Sequence, residues 1–337
     1  MTEVSAVGKN ERAVRCEVCF RRCRLEEGGT GACGARVCRG GRVVPAGYGL
    51  LTALALDPIE KKPLRRFFSG SRILSAGSFG CNLFCPFCQN AEISRAVPER
   101  TAPAPGGTGQ AAGGGTGREN AGTRRRNDTR EAEARYRDPE GRIRRIPLIS
   151  MTPAALCREA EALRTQGNIG VAYTYNEPLV GYEFVRDTAR LVHEAGMKNV
   201  LVSNGTASPD VLHELLPWID AMNIDIKSFR EETYGNVLGG SLPMVKAFIE
   251  TAAAAGTHLE LTALIVPGMN DSVEEMRALA GWVAGLDGGR GKEIPLHVTR
   301  FFPRFRMTDR GATPVSTVYR LAEEAGRVLR YVYVGNC

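Results

Sequence analysis

The chain has 337 residues, 43% hydrophobic and 24% charged, with a net charge of +7, an ordinary globular composition with room for one large domain or two smaller ones. No run of 18 apolar residues is present, which excludes a simple membrane-spanning helix, and the polar stretch from Met1 to Arg15 lacks the apolar core of a secretion signal. Of the excess positive charge, +5 lies between Arg95 and Arg145 (12 Arg against 7 Asp and Glu), so the remainder offers no strongly basic face and nucleic-acid binding is disfavoured.

Ten cysteines without a secretion signal point to a reducing, cytoplasmic setting, where clustered thiols are metal ligands or catalytic groups more often than disulfides. Eight of the ten precede residue 90. Residues 1–48 form a Cys-, Gly- and Arg-rich head with too few apolar residues for a core of its own. Its spacing is Cys16-x2-Cys19-x3-Cys23-x9-Cys33, which reads as a metal site. Zinc and an auxiliary iron–sulfur cluster both suit four thiolates, and the need for a staple favours zinc. Cys38 is read as spare, and Cys157 as a small buried hydrophobe in a helix.

Residues 49–72 are expected to connect the head to the body. Residues 49–96 together hold this connector and a first unit that begins with a strand near Ile73–Gly77. Residues 97–146 read as a disordered insert, crowded with glycines from Gly106 to Gly117 and with Arg124, Arg125 and Arg126. Few bulky apolar residues are there to offset the entropy of ordering. An RNA-binding arginine tract is the other reading of this stretch.

From residue 147 to 337 strands alternate with helices. The expected strands are 169–174, 198–203, 221–226, 258–266, 295–300 and 331–334. The expected helices are 152–166, 178–195, 208–216, 242–255, 271–285 and 314–328. Counting residues 73–77, this makes six β/α units. The near-continuous apolar strands imply a parallel sheet covered on both faces. The polar motifs fall at strand C-terminal ends, as on the rim of a barrel. The fold class is therefore α/β, a partial (β/α)6 TIM-like barrel with a small Cys-rich N-terminal metal-binding head.

Directly after the first strand comes Cys81-Asn82-Leu83-Phe84-Cys85-Pro86-Phe87-Cys88. Three close thiolates leave one iron of a [4Fe–4S] cube without a cysteine, whereas structural zinc normally takes four protein ligands. A zinc loop with a distant fourth ligand is the alternative. The C-x3-C-x2-C motif, with Phe87 before its third cysteine, strongly resembles the radical S-adenosylmethionine (SAM) superfamily. At a finer level, Asp57–Leu64, Ala172–Pro178, Asn223–Lys227 and Tyr331–Asn336 resemble the radical SAM proteins of the AmmeMemoRadiSam system, which are similar to pyruvate formate-lyase activating enzyme. The resemblance covers about residues 14–95 and 147–336. The long insert departs from it, and the chain stops at Cys337, where many relatives continue into a short Cys-Pro-x-Cys-Gly tail.

The resemblance implies that Cys81, Cys85 and Cys88 hold a [4Fe–4S] cluster whose open iron chelates SAM. Reductive cleavage would give a 5′-deoxyadenosyl radical, which takes a hydrogen atom from the substrate. It further implies cofactor contacts from Phe87, Asn176, Glu177, Ser203, Asn204, Asp225, Lys227 and His297. Each has a plainer reading. Glu177 caps the helix after it, Asp225 and Lys227 form an ion pair, and His297 is a satisfied core histidine. The implied activity is that of a glycyl-radical-activase-like oxidoreductase, with an electron donor such as flavodoxin or ferredoxin and a protein as one candidate substrate. A radical SAM enzyme modifying a small molecule or a non-glycyl residue is the first alternative, and a zinc-stapled nucleic-acid-binding protein is the distant one.

Overall fold

The computed structural model describes residues 13–98 and 132–337. Its centre is an eight-stranded sheet, in which β1 (Ala53–Pro58) runs antiparallel to β2 (Arg72–Gly77). From β2 onward all neighbours are parallel: β3 (Asn168–Tyr173), β4 (Lys198–Ser203), β5 (Ala221–Asp225), β6 (His258–Ile265), β7 (Leu296–Arg300) and β8 (Val332–Gly335). The spatial order is the chain order from β1 to β8. β1 and β8 are the two edges, so the barrel is partial.

Six helices accompany the strands: α1 (Pro153–Ala162), α2 (Tyr182–Glu194), α3 (Pro209–Leu215), α4 (Leu242–Ala254), α5 (Val273–Gly285) and α6 (Val315–Gly326). Their starts are chemically marked. Thr152 Oγ1 accepts from Ala155 N with Pro153 in the first helical position, and Ser272 Oγ accepts from Glu275 N.

Strand alternation divides the core in two. Outward residues such as Leu74, Val171, Leu201, Met222 and Leu261 join Leu156, Val185, Val245, Ile249 and Leu279 of the helices. Inward residues Ile73, Ala172, Val200 and Ala221 pack on Ile59, Leu64 and Phe67. Burial on both faces is why the strands lack polar alternation. The segment from Ile59 to Phe67 closes the lower end of the barrel as a floor. It is pinned by Asn223, whose Nδ2 donates to Pro63 O (2.9 Å), and by Glu260, whose carboxylate accepts from Arg65 N (3.0 Å) and Arg66 N (2.8 Å).

Two expectations change. The connector at 49–72 supplies a barrel strand and this floor. The insert is partly regular: Glu133–Arg137 and Ile143–Pro147 form an antiparallel hairpin, and Val97–Pro98 joins its edge. Alternation accounts for this, since Ala134 and Tyr136 turn inward while Glu133, Arg135 and Arg137 stay at the surface or half-buried. Asp138 fixes the turn, its Oδ1 accepting from Arg142 N (2.8 Å). The glycine tract Gly106–Gly117 and Arg124–Arg126 lie outside the described residues.

The head consists of two short antiparallel pairs, Val14–Arg15 with Arg24–Leu25 and Arg36–Arg39 with Arg42–Pro45. It rests on the loop between β4 and α3, where Cys19 bridges to Ala207 and Ser208 N donates to Val18 O (2.8 Å). Among the described residues no helix is long and apolar enough to cross a membrane.

Candidate active site

β2 ends at Gly77, and the chain turns over the barrel rim into the cysteine loop. Asn176, in the loop after β3, secures the beginning of that turn. Its Oδ1 accepts from Ser78 N (3.0 Å), and its Nδ2 donates to Phe79 O (3.1 Å) and Gly80 O (3.0 Å). Phe87 is buried and meets Phe301, at the end of β7, edge-on at 6.4 Å. Arg306 N donates to Pro86 O (2.9 Å), so the loop spans the rim from β2 to β7.

The three cysteines are free thiols. Asn204 Nδ2 lies 3.7 Å from Cys81 Sγ and 3.0 Å from Asn82 Oδ1, while Asn82 Nδ2 donates to Thr206 Oγ1 (2.8 Å). Burial, followed by the neighbouring Glu177 and Cys85, holds the Cys81 thiol well above its ordinary range. Burial pushes Cys85 up to about 11, with Lys227 pulling the other way. Buried thiols of this kind are poor nucleophiles, and they lose their protons when a metal centre takes them as ligands.

Glu177 is the hub of the next rim position. Oε1 accepts from Ser203 Oγ (2.8 Å) and from Leu179 N (3.1 Å), and Oε2 accepts from Asn204 N (2.8 Å). The bond to Leu179 makes Glu177 the cap of the following turn, as the plainer reading held, and the other two bonds tie it to the loop after β4. Burial pushes its carboxyl up to about 7 against those three donors. At the end of β5, Lys227 Nζ lies 2.9 Å from Asp225 Oδ2. Burial alone would lower the ammonium, but Asp225 and Cys85 more than offset it and hold it above the ordinary lysine value. Asn270, in the loop after β6, steadies this corner by donating to Lys227 O (3.0 Å) and Leu264 O (2.8 Å).

Thus Cys81, Cys85, Glu177, Ser203, Asn204, Asp225 and Lys227 share one end of the barrel, with Phe87 beneath the loop. Two expected residues do other work. Asn176 directs its amide onto the cysteine loop. His297, near the start of β7, is buried toward the floor with its Nε2 2.6 Å from Glu260 Oε2. That pairing satisfies its ring and answers to the core-histidine reading. Sequence patterns missed Thr206 and the bracing role of Asn82, because polar residues that brace loops carry no spacing signature. They also missed a buried group inside the barrel: Lys62 Nζ lies 2.9 Å from Asp57 Oδ2, to which Tyr175 Oη donates at 2.6 Å.

The family model of the radical SAM superfamily matches residues 77–280. The chain belongs to the radical SAM superfamily. It is 34% identical over 330 residues to "Uncharacterized protein MJ0808" of Methanocaldococcus jannaschii, covering 97% of this chain and 82% of that one. It is 28% identical over 129 residues to pyruvate formate-lyase 1-activating enzyme of Escherichia coli strain K12, covering 38% of this chain and 52% of that one. With benzylsuccinate synthase activating enzyme of Thauera aromatica it is 26% identical over 115 residues, 34% of this chain and 35% of that one. Among solved structures, a domain of pyruvate-formate lyase-activating enzyme from Bacteroides vulgatus aligns with a TM-score of 0.43 at 15% identity, covering 50% of this chain and 99% of that one. The chain is thus a radical SAM enzyme with similarity to the activating enzymes.

The donor set suits the cluster such an enzyme uses. The loop offers three thiols, with the positive charge of Arg95 and Lys227 close enough to act on Cys85. A cube spreads its thiolates over separate irons and can be held by three cysteines, whereas structural zinc normally takes four protein ligands, so the loop fits a cluster better than zinc.

Proposed function

We propose that Cys81, Cys85 and Cys88 hold a [4Fe–4S] cluster and that the chain cleaves SAM reductively, in the manner of a glycyl-radical activase. When bound, the cluster supplies one electron and an open iron that chelates an amino-carboxylate ligand. The chain's own residues prepare the rest. Glu177 presents a carboxylate for an ammonium group, braced by Ser203 and the Asn204 amide. Asp225 and Lys227 offer both charges to a zwitterionic ligand. Asn204 donates toward Cys81 Sγ, which steadies one ligand sulfur. Phe87 and Phe301 keep water from the loop.

The observation that carries this reading is the cysteine loop, set on the same rim as Glu177 and Lys227. The partial matches to activating enzymes support a glycyl radical partner as substrate. A flavodoxin or ferredoxin is the proposed electron donor. The clustered free thiols support a cytoplasmic setting.

The test is anaerobic reconstitution with iron and sulfide, followed by dithionite and SAM. The expected result is 5′-deoxyadenosine from the wild type and none from Cys85→Ala. Wild-type protein that takes up iron and forms no 5′-deoxyadenosine would sink the proposal. Adding a glycyl-radical protein encoded nearby, and reading its electron paramagnetic resonance, tests the substrate class.

A further inference from the structure

The segment that follows β5 and Lys227 meets the cysteine loop and is closely fitted to it. Tyr234–Leu238 forms a single π-helical turn, a rare geometry that concentrates at functional sites. Leu238 O accepts from Phe84 N (2.7 Å), the residue before Cys85, and Tyr234 O accepts from Gly240 N (2.7 Å). Gly240 leaves the gap in which the two loops meet, since a Cβ there would lie 2.6 Å from Leu83 Cδ2 and 3.1 Å from Tyr234 Cδ1. The Tyr234 ring therefore lies beside Leu83, and it belongs to one buried cluster with Leu83 and Cys85.

The hydroxyl of that ring is only half used. Tyr234 is 0% exposed, and its Oη accepts from Lys227 N (3.0 Å). Its own O–H donates to no acceptor among the described residues. Burial, opposed by the Lys227 amide and ammonium and aided by Cys85, holds the phenol above its ordinary range, so the oxygen keeps its proton at neutral pH. A buried donor without an acceptor costs about 1–3 kcal/mol. The charged or ionisable groups near enough to act on this hydroxyl are Lys227, Cys85 and Asp225. An ammonium accepts no hydrogen bond, and the Asp225 carboxylate is engaged by Lys227 Nζ at 2.9 Å. Cys85 is the group whose capacity changes, because its sulfur becomes a thiolate acceptor when it takes iron.

We infer that Tyr234 is a positioning residue for the cluster, its O–H donating to the Cys85 sulfur once that sulfur is an iron ligand. The inference rests on the proposed function, which puts the cluster on Cys85. A hydrogen bond to a ligand sulfur draws off negative charge, favours the reduced cluster and raises its potential. Because the same oxygen accepts from Lys227 N, one side chain ties a cluster ligand to the residue offered to the SAM zwitterion.

The experiment uses the full chain and Tyr234→Phe, both reconstituted anaerobically with iron and sulfide, exchanged into heavy water and reduced without SAM. Electron–nuclear double resonance reads exchangeable deuterons near the cluster, and a redox titration reads its potential. The expected result is a deuteron coupling in the wild type that Tyr234→Phe lacks. At one fixed potential the reduced-to-oxidised ratio should be about tenfold lower in the variant, about 59 mV for a one-electron couple. A variant with the wild-type potential, or one that keeps the wild-type deuteron coupling, overturns the inference. If Tyr234→Phe takes up no iron, the titration is repeated on Tyr234→3-fluorotyrosine, which keeps the hydroxyl and makes it a stronger donor. Its potential should then rise, and an unchanged potential overturns the inference. Wild-type protein that assembles no cluster refutes the proposed function and this inference together, whereas a cluster indifferent to Tyr234 refutes the inference alone.

Discussion

Lys227 and Glu260 are charged groups at opposite ends of one barrel, and they make different predictions. Lys227→Met leaves Asp225 as a half-buried carboxylate without its Lys227 partner and removes a cation from the proposed SAM site. Loss of a charge-assisted contact raises KM for SAM on the order of tenfold, measured by 5′-deoxyadenosine formation; an unchanged KM would remove Lys227 from the site. Glu260 is a structural anchor. Burial opposes its ionisation, but His258, His297 and the Arg65 and Arg66 amides prevail and hold its carboxyl at about 2, below the ordinary 4.5. Because folding favours the ionised form, the stabilisation is complete above pH 4.5 and is lost as pH falls toward 2. Glu260→Gln is expected to cost roughly 3 kcal/mol at neutral pH. It also removes this part of the acid limb, and urea denaturation across that window would reveal an unaltered limb if the anchor is unimportant. The core-histidine reading of His297 was available from the sequence, but its partner was not, since Glu260 lies 37 residues away and no local pattern marks such a pair. That Cys81, Cys85 and Cys88 share one loop directly after a strand was legible because their spacing is local.

The cysteine loop and the hairpin show how elements depend on close fit. Gly80 has φ +86°, and a Cβ there would lie 2.6 Å from Cys33 O. Gly70 has φ +83° with nothing within 4 Å. Gly70→Ala should therefore cost only the conformational strain, roughly 1–2 kcal/mol. Gly80→Ala should also pry the head from the loop, giving a larger fall in melting temperature and less iron per chain after reconstitution. Equal effects of the two substitutions would mean that the head–loop contact is dispensable. In the hairpin, Tyr136 is 3% exposed, so Tyr136→Ala should destabilise by about 3 kcal/mol, whereas a surface flap would tolerate it within a few tenths. The barrel helices were legible from their caps and apolar stripes, with ends shifted by a few residues. The hairpin was not, because Glu133–Pro147 is rich in charge and only every second residue of its first strand is buried. β1 was missed for a related reason: Pro58 and Pro63 suggested a connector, yet Pro58 ends an edge strand, where its missing N–H is tolerated.

At the scale of the whole molecule, the head, the rim and the floor are joined by bonds that cross long stretches of chain. Arg36 pairs with Glu183 of α2 at 2.7 Å, and Tyr48 Oη donates to Asp187 of the same helix at 2.7 Å. The family match begins at residue 77, after the floor segment, β1 and nearly all of β2, and it stops before β7 and β8. A fragment limited to residues 77–280 would be a vessel without a base and with one wall missing. Glu260 would lose the Arg65 and Arg66 amides and His297 together, while Ala172, Val200 and Ala221 would face water in place of Ile59, Leu64 and Phe67. The stretch that identifies this chain is thus not a portable unit: what makes it recognisable and what lets it stand lie in different parts of the sequence.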